Sequence, residues 1–493
     1  MPQRLGTKLL PHCSHRAKTS ECVDKRETHK VFDYSIPRLN EGVVWTHKGC
    51  VCNEKVALRE RHQLDTGARY TANKSIVQMN MESLVFQQGE GFPELTRSSF
   101  GSVISHYSGA KRKEYERGAA SLLVDPLNLD LDARIRMFLK DDKYHQWDFK
   151  APRCIQFRNK RYGICLASYL QPIEEFVYQL KDISGTRVFA KGRNLSERAN
   201  DLRAKWENFT DPIALCLDHS KFDCHVGVEL LKQEHAFYES FYPGDRKLRG
   251  ILRAQLINKG STRNGTTFKT RGTRMSGDQN TGLGNSALNY GMLCEYVKGV
   301  EATFYIDGDD SVVIVERADA HKLDIKCFAQ FGMTTKLEIA EEFERVDFCQ
   351  GRPVFDGVSW HMVRDPFRVL ARLPWVVKRN HLPIIPRYVK SVGMCELALN
   401  MGIPVLQSVA CALIEFGSGA YIKTDRHYLA KLSKIKPWHA RAVPISQVTR
   451  ESFEKAWGIS VEEQLELETV TLEKPTVDVL ELLFSNLPAG VTL

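Results

Sequence analysis

The strongest constraint on the fold is the stretch TFYIDGDDSVVIVE, residues 303–316, where two runs of β-branched and aromatic residues flank an Asp-Gly pair. Residues 304–306 and 312–315 are strand-forming, and Asp307-Gly308 supports a tight turn, so the stretch predicts a β-hairpin. Its tip carries Asp307, Asp309 and Asp310. Like charges that close repel, and full solvation or a bound cation relieves the repulsion. Both outcomes are open at this point, because Asp and Gly are ordinary turn residues.

Upstream, PIALCLDHSKFDCHV (residues 212–226) begins with an apolar run over 213–217, the pattern of a strand buried on both faces, and ends it with Asp218. Asp223 follows five residues later. Between these stretches lies RGTRMSGDQNTGLGNSALNYGMLCEYVKG, in which Leu283, Ala287, Tyr290, Cys294 and Val297 follow helical spacing and Lys298-Gly299 supplies an end. A loop over 275–280 therefore feeds a helix. Ser276-Gly277 lets backbone approach a ligand closely, while Thr281 and Asn285 present hydrogen-bonding side chains nearby. Asn285 sits about 200° around the helix from Leu283, off the apolar face.

The 493 residues are 43% hydrophobic and 26% charged, enough for two or three ordinary domains or one large multi-lobed one. The net charge of +9 is uneven: residues 451–493 hold nine acidic residues against two lysines, so the first 450 carry +16. A basic body of this size attracts a polyanion. Thirteen cysteines without a regular framework fit reduced thiols better than a disulfide scaffold. Cys13, His15, Cys22, Cys50 and Cys52 form the one candidate zinc cluster, although Cys50-Val51-Cys52 is tighter than the usual pair. No apolar run of about 18 residues occurs, and residues 403–417, IPVLQSVACALIEFG, read as a buried helix with proline in its first turn. The expectation is a chain without a membrane anchor of its own. Strand and helix patterns alternate without a βαβ rhythm to about residue 364 and turn mainly helical past Pro366. That favours an α+β architecture, a mixed sheet with helical insertions and a helical C-terminal lobe.

Taken in order, Asp218, then Ser276-Gly277, Thr281 and Asn285, then the Gly-Asp-Asp tip resemble the first three palm motifs of a template-directed nucleotide polymerase. The chain resembles viral RNA-dependent RNA polymerases of positive-strand viruses, most closely the tombusvirus and carmovirus (Tombusviridae-like) group. HYSGAKRKEYERGAASL and KAPRCIQFRNKRYGICLASYLQPIE are similar to its template-contacting and nucleotide-gripping segments, and FGMTTKLE and VDFCQGRPV to its fourth and fifth palm motifs. The likeness covers residues 95–365, with a fainter match in GCVCNEKVALRERH. Three positions depart from the usual pattern. Lys221 stands for Arg, Asp307 for Asn, and Cys224 is also less usual.

The resemblance implies a right-hand fold: residues 1–94 as N-terminal region and fingertips, 95–210 as fingers, 211–228 as the first palm motif, 229–270 as a fingers insertion, 271–365 as the remaining palm motifs, and 366–493 as a helical thumb with an acidic tail. It implies RNA-templated RNA synthesis, with primer-independent initiation, on two Mg²⁺ ions held by Asp218, Asp309 and Asp310, Mn²⁺ being able to substitute. Strand alternation is expected to point Asp307 elsewhere. Asp223 would accept a hydrogen bond from the ribose 2′-hydroxyl in a network with Ser276, Gly277, Thr281 and Asn285, which argues for ribonucleotides. Lys150, Arg153, Arg158 and Arg161 would grip the triphosphate, and Lys336 would protonate the leaving pyrophosphate. Tyr107, Lys111, Arg112, Lys113 and Tyr115 would contact the RNA template. The partners implied are template and nascent RNA, ribonucleoside triphosphates, and a companion viral replication protein that brings the chain to membranes in the host cytoplasm. A reverse transcriptase and a non-catalytic RNA-binding scaffold are the alternatives. Asp223 and Asn285 speak against the first and the complete set of carboxylates against the second.

Overall fold

The computed structural model describes residues 9, 13–16, 28–36, 42–63, 65–89, 91–145, 150–377, 384–423, 432 and 436–474. Its centre is a four-stranded antiparallel sheet in the order Ala302–Asp307, Asp310–Glu316, Pro212–His219, Thr335–Ala340. The apolar run that ends in Asp218 occupies an interior strand, as its lack of alternation requires. Its two faces lie in different cores. Ile213, Leu215 and Leu217 pack with Leu283 and Ala287 of the helix Thr281–Tyr296, while Ala214 and Cys216 pack with Ala199 and Leu202 of the helix Leu195–Trp206.

The hairpin turn is shifted by one residue from the sequence expectation. Asp307 and Asp310 are paired strand residues, so the loop is Gly308-Asp309. Gly308 has φ +73° at the first central position, where a two-residue turn of this kind needs glycine.

A second sheet has five strands, ordered Ser14–Arg16, Thr267–Arg271, Ile257–Thr262, Ile135–Leu139, Cys154–Phe157. Its pairs are antiparallel except for Ile135–Leu139 with Ile257–Thr262. The free edge of Cys154–Phe157 meets the loop before the central helix, where Gly277 N–H donates to the Gln156 carbonyl at 2.7 Å. A Cβ on Gly277 would come 2.5 Å from that oxygen. The close approach that glycine permits is thus to another strand, not to a ligand.

The C-terminal lobe is built from Ile385–Leu399, Leu406–Phe416, Gln447–Trp457 and Val461–Leu467. The expected helix over 403–417 begins at Leu406, with Pro404 just before it. Val31, Phe32 and Tyr34 fill the same core, and His29–Lys30 and Asp33–Tyr34 pair with Trp375–Val376 and Leu472–Glu473. Residues 1–94 therefore do not form one region. Ser14–Arg16 joins the five-stranded sheet, the segment near residue 32 joins the C-terminal lobe, and the helix Ile76–Phe86 packs on the central helix. Among the described residues no helix is long and apolar enough to cross a membrane. Residues 475–493 of the acidic tail lie outside the described residues.

Candidate active site

Register places the carboxylates. Asp310 is directly opposite Asp218, and Lys336 is opposite Asp218 on its other side. Residues opposed in this way share a face of the sheet, so Asp307, Asp310, Asp218 and Lys336 form one row across four strands. This corrects the expectation for Asp307, because alternation aims it with the others. What removes it from the set is Arg198, whose Nη2 donates to Asp307 Oδ2 at 2.6 Å.

Among the described residues Asp218, Asp309 and Asp310 are not paired with any basic side chain, and their charges act on one another. Asp309 is exposed at the tip, and the surrounding protein, then the charges of Asp223 and Asp218, push it up to about 6. Burial, then Asp309, Asp307 and Asp218, push Asp310 up to about 7. Crowded, uncompensated oxygen donors suit a hard divalent cation. No three His, Cys, Asp or Glu side chains among the described residues are already gathered as a closed metal cage, so the donor set fits while the cage is not preformed.

The tip is held from behind. Ser286 Oγ accepts from Gly308 N–H at 2.9 Å, and Asn289 Nδ2 donates to the Gly308 and Asp309 carbonyls at 3.1 and 3.3 Å. Because the Asn289 amide donates there, its Oδ1 accepts from His219 Nε2 at 3.1 Å, and His219 Nδ1 accepts from Thr335 Oγ1 at 2.8 Å. Burial pushes His219 down to about 4, so the ring is neutral in this relay. Sequence reasoning missed Ser286, Asn289 and His219. The available signal was polarity one and four residues beyond Asn285 on a helix that is buried almost all round.

Asp223 and Asn285 meet as expected, Asn285 Nδ2 donating to Asp223 Oδ1 at 2.8 Å. Arg274 Nε donates to Asn285 Oδ1 at 2.9 Å and so fixes which way the amide faces. Arg274 is buried in an ion pair with Glu234, which also accepts from Asn280 at 2.6 Å and Tyr238 at 2.8 Å. Burial raises the Asp223 carboxyl against the Asn285 hydrogen bond and the Arg274 charge, which lower it. Ser276 and Thr281 do not join this network. Their hydroxyls donate to the Cys154 and Met275 carbonyls, both at 3.0 Å, and hold the loop.

The basic segment divides. Arg153 is 57% exposed, reaches Asp142 at 3.6 Å by a single long contact, and is close enough to lower both Asp223 and Asp309, and Lys150 is exposed at the start of the same segment. Arg158 is buried, bonded to Asp278 at 2.9 Å, Ala133 O at 2.7 Å and Asn258 at 2.5 Å. Arg161 is bonded to Asp132 at 3.1 Å and Ser121 at 2.8 Å. Both guanidinium groups are committed to protein partners, so neither is left to grip a triphosphate. Tyr115 is also corrected: it is 2% exposed, stacked on Tyr107 at 4.4 Å, and hydrogen bonded to Gln279, with no face for a base. Lys111, Arg112 and Lys113 are exposed on the helix Gly109–Val124, with Lys111 over Tyr107 and Arg112 paired to Glu116 at 2.8 Å.

Three of the candidate zinc residues are engaged elsewhere, and Cys52 is exposed. Cys13 Sγ bonds Thr270, His15 bonds Gln63, and Cys50 caps the helix Val51–Leu58, while Cys22 lies outside the described residues.

Residues 24–474 match a family described as viral RNA dependent RNA polymerase. The chain is 34% identical over 388 residues to the RNA-directed RNA polymerase of Tobacco necrosis virus (strain A), covering 74% of this chain and 52% of that protein. It is 34% identical to that of Carnation mottle virus over 396 residues (76% and 50%) and 33% identical to that of Tomato bushy stunt virus (strain Cherry) over 388 residues (76% and 47%). The chain spans about half the length of the curated relatives it matches. With family and carboxylate geometry in agreement, the chain belongs to the viral RNA-dependent RNA polymerases.

Proposed function

We propose that this chain copies RNA from an RNA template by nucleotidyl transfer, replicating a positive-strand viral genome. The observation that carries the reading is the row Asp310, Asp218, Lys336 beside Asp309, facing the Asp223–Asn285 pair. In this reading the four-stranded sheet is the palm, the five-stranded sheet and its helices the fingers, and the C-terminal helical lobe the thumb.

Asp218, Asp309 and Asp310 would hold two Mg²⁺ ions, or Mn²⁺, which when bound activate the attacking 3′-oxygen and neutralise the leaving pyrophosphate. The 3′-oxygen attacks the α-phosphorus of the incoming nucleotide, and the bond from that phosphorus to the bridging oxygen of pyrophosphate breaks. Lys336, beside Asp218, gives its proton to the leaving group. Lys150 and Arg153 bind the triphosphate. Asp223 Oδ1 is engaged by Asn285, and Oδ2 has no hydrogen-bond partner among the described residues, so it is the acceptor for the ribose 2′-hydroxyl. Lys111, Arg112 and Lys113 contact the template backbone. Initiation is primer-independent, and a companion replication protein brings the chain to host cytoplasmic membranes; liposome flotation by the isolated chain alone would contradict that attachment.

The test is incorporation by the purified chain on a short RNA template with Mg²⁺, comparing ribonucleotides with deoxyribonucleotides and wild type with Asp309→Ala. Template-dependent RNA synthesis, lost in the variant, is expected. RNA binding without incorporation in either Mg²⁺ or Mn²⁺ would sink the catalytic reading.

A further inference from the structure

Among the described residues the five-stranded sheet buries only one face. Ile135, Met137, Leu139 and Phe268 pack on Ala57, Leu58 and Met275, and strand alternation turns the neighbouring residues outward. The registers place Arg16, Arg136, Lys259, Lys269 and Arg271 together on this outward face, all exposed. The five strands contain no Asp or Glu, and among the described residues none of the five cations is held in an ion pair. Lys259 and Lys269 are directly opposite each other, an arrangement that costs sheet stability. Stability alone would not select it, whereas a polyanion would.

The aromatic end of the face narrows the choice. Phe138 and Phe157, part-exposed, meet edge to face at 5.9 Å, and Lys160 Nζ lies 5.5 Å from the Phe157 ring. Phe157 follows Gln156, whose carbonyl holds the loop of the candidate active site. Cys154 of the same strand points to the opposite face, where the charge of Asp223 reaches its thiol. The outward face therefore lies across the sheet from Asp223. With strands about 4.8 Å apart it is about 19 Å wide.

We propose that this face is an RNA-binding platform outside the catalytic cleft, on which Arg16, Arg136, Lys259, Lys269 and Arg271 hold the phosphates of single-stranded RNA while bases lie against Phe138 and Phe157. The proposal takes from the polymerase reading only the identity of the polyanion.

The test is fluorescence anisotropy of the full chain with a long single-stranded RNA across a salt series, comparing wild type with Lys259→Gln/Lys269→Gln/Arg271→Gln. Each lost contact to single-stranded RNA should lower the slope of log affinity against log salt by about 0.7, so the triple variant should lose about 2, with affinity at fixed salt down roughly tenfold or more. An unchanged slope and affinity would overturn the platform. So would a variant that keeps RNA binding and instead loses binding to phosphatidylserine vesicles, which would make the face a lipid contact. Lys259→Gln alone removes a like-charge pair, so it should melt no lower than wild type and lose about 0.7 of slope; it keeps the test valid if the triple variant misfolds. Incorporation on a template too short to reach the platform should be unaffected by the triple variant. A wild type that incorporates nothing while the slope still falls would remove the polymerase reading and leave the platform standing.

Discussion

Replacing Arg198 by Met tests whether a single ion pair keeps Asp307 out of the carboxylate centre. Arg198 Nη2 bonds Asp307 at 2.6 Å, Nη1 reaches Cys349 Sγ at 3.5 Å, and the guanidinium lies 5.8 Å from the Phe348 ring centroid. Arg198 and Asp307 are only 17% and 26% exposed. Asp307 is directly opposite Asp310, which puts the side-chain origins about 5 Å apart. At an effective dielectric near 20, two like charges at about 5 Å repel by about 3 kcal/mol, or about 2 pK units on the nearer carboxylate. In the wild type the guanidinium offsets only part of that repulsion, since Asp307 still raises Asp310. In Arg198→Met it acts in full on Asp310, a carboxyl already raised by its neighbours, Asp307 among them. The metal-free variant should melt lower than wild type, and its calorimetric affinity for Mn²⁺ at neutral pH should fall by about 10- to 100-fold. Arg198→Met/Asp307→Asn removes both charges and should return both readouts to near wild type. Asp307→Asn alone should be close to neutral. If the double variant stays as defective as Arg198→Met, the role of Arg198 is packing against Phe348 and Cys349, and the charge argument is wrong.

Arg274→Lys keeps the charge facing Glu234 but loses the Nε donor that orients Asn285. The ratio of ribonucleotide to deoxyribonucleotide kcat/KM should fall by about 2- to 10-fold, the worth of one hydrogen bond, with melting little changed; an unchanged ratio would detach this network from sugar selection. Arg274→Met strands Glu234, 0% exposed, and should cost about 3–5 kcal/mol in denaturant unfolding. Burial holds His219 at about 4 against an ordinary value near 6.5, so the folded chain binds fewer protons and stability is lost as pH falls through that interval. Glu174, raised by burial to about 7, acts in the opposite sense, so the readout is a difference: His219→Gln should show a shallower loss of melting temperature from pH 7 to 5 than wild type. Arg153→Ala should raise the nucleotide KM and leave folding intact, whereas Arg158→Ala leaves Asp278, 4% exposed, without its guanidinium and should lose about 3–5 kcal/mol of stability. A raised KM in a stable Arg158→Ala would reverse that assignment.

What the sequence disclosed, and what it withheld, follows from the range over which a pattern acts. Asp218 was legible because an unbroken apolar run has one place to go, the interior of a sheet, and its first polar residue must emerge at the end. The Asp223–Asn285 contact spans 62 residues, and only the order of the motifs brought it out. Arg158, Arg161 and Tyr115 were misread for a common reason. A cation in a basic run, or a tyrosine in a basic helix, carries no mark of its partner, and the partners of Arg158 and Tyr115 are 120 and 164 residues away. Val31, Phe32 and Tyr34 likewise gave no sign that they fill a core whose other members begin beyond residue 350. Asp307 shows the opposite case. Its face could be read from alternation once the turn was placed, and a one-residue error in the turn reversed the answer. The departure from asparagine there is intelligible only with Arg198, more than a hundred residues upstream, which means that replacement of Arg198 should be tolerated only when Asp307 is neutralised with it.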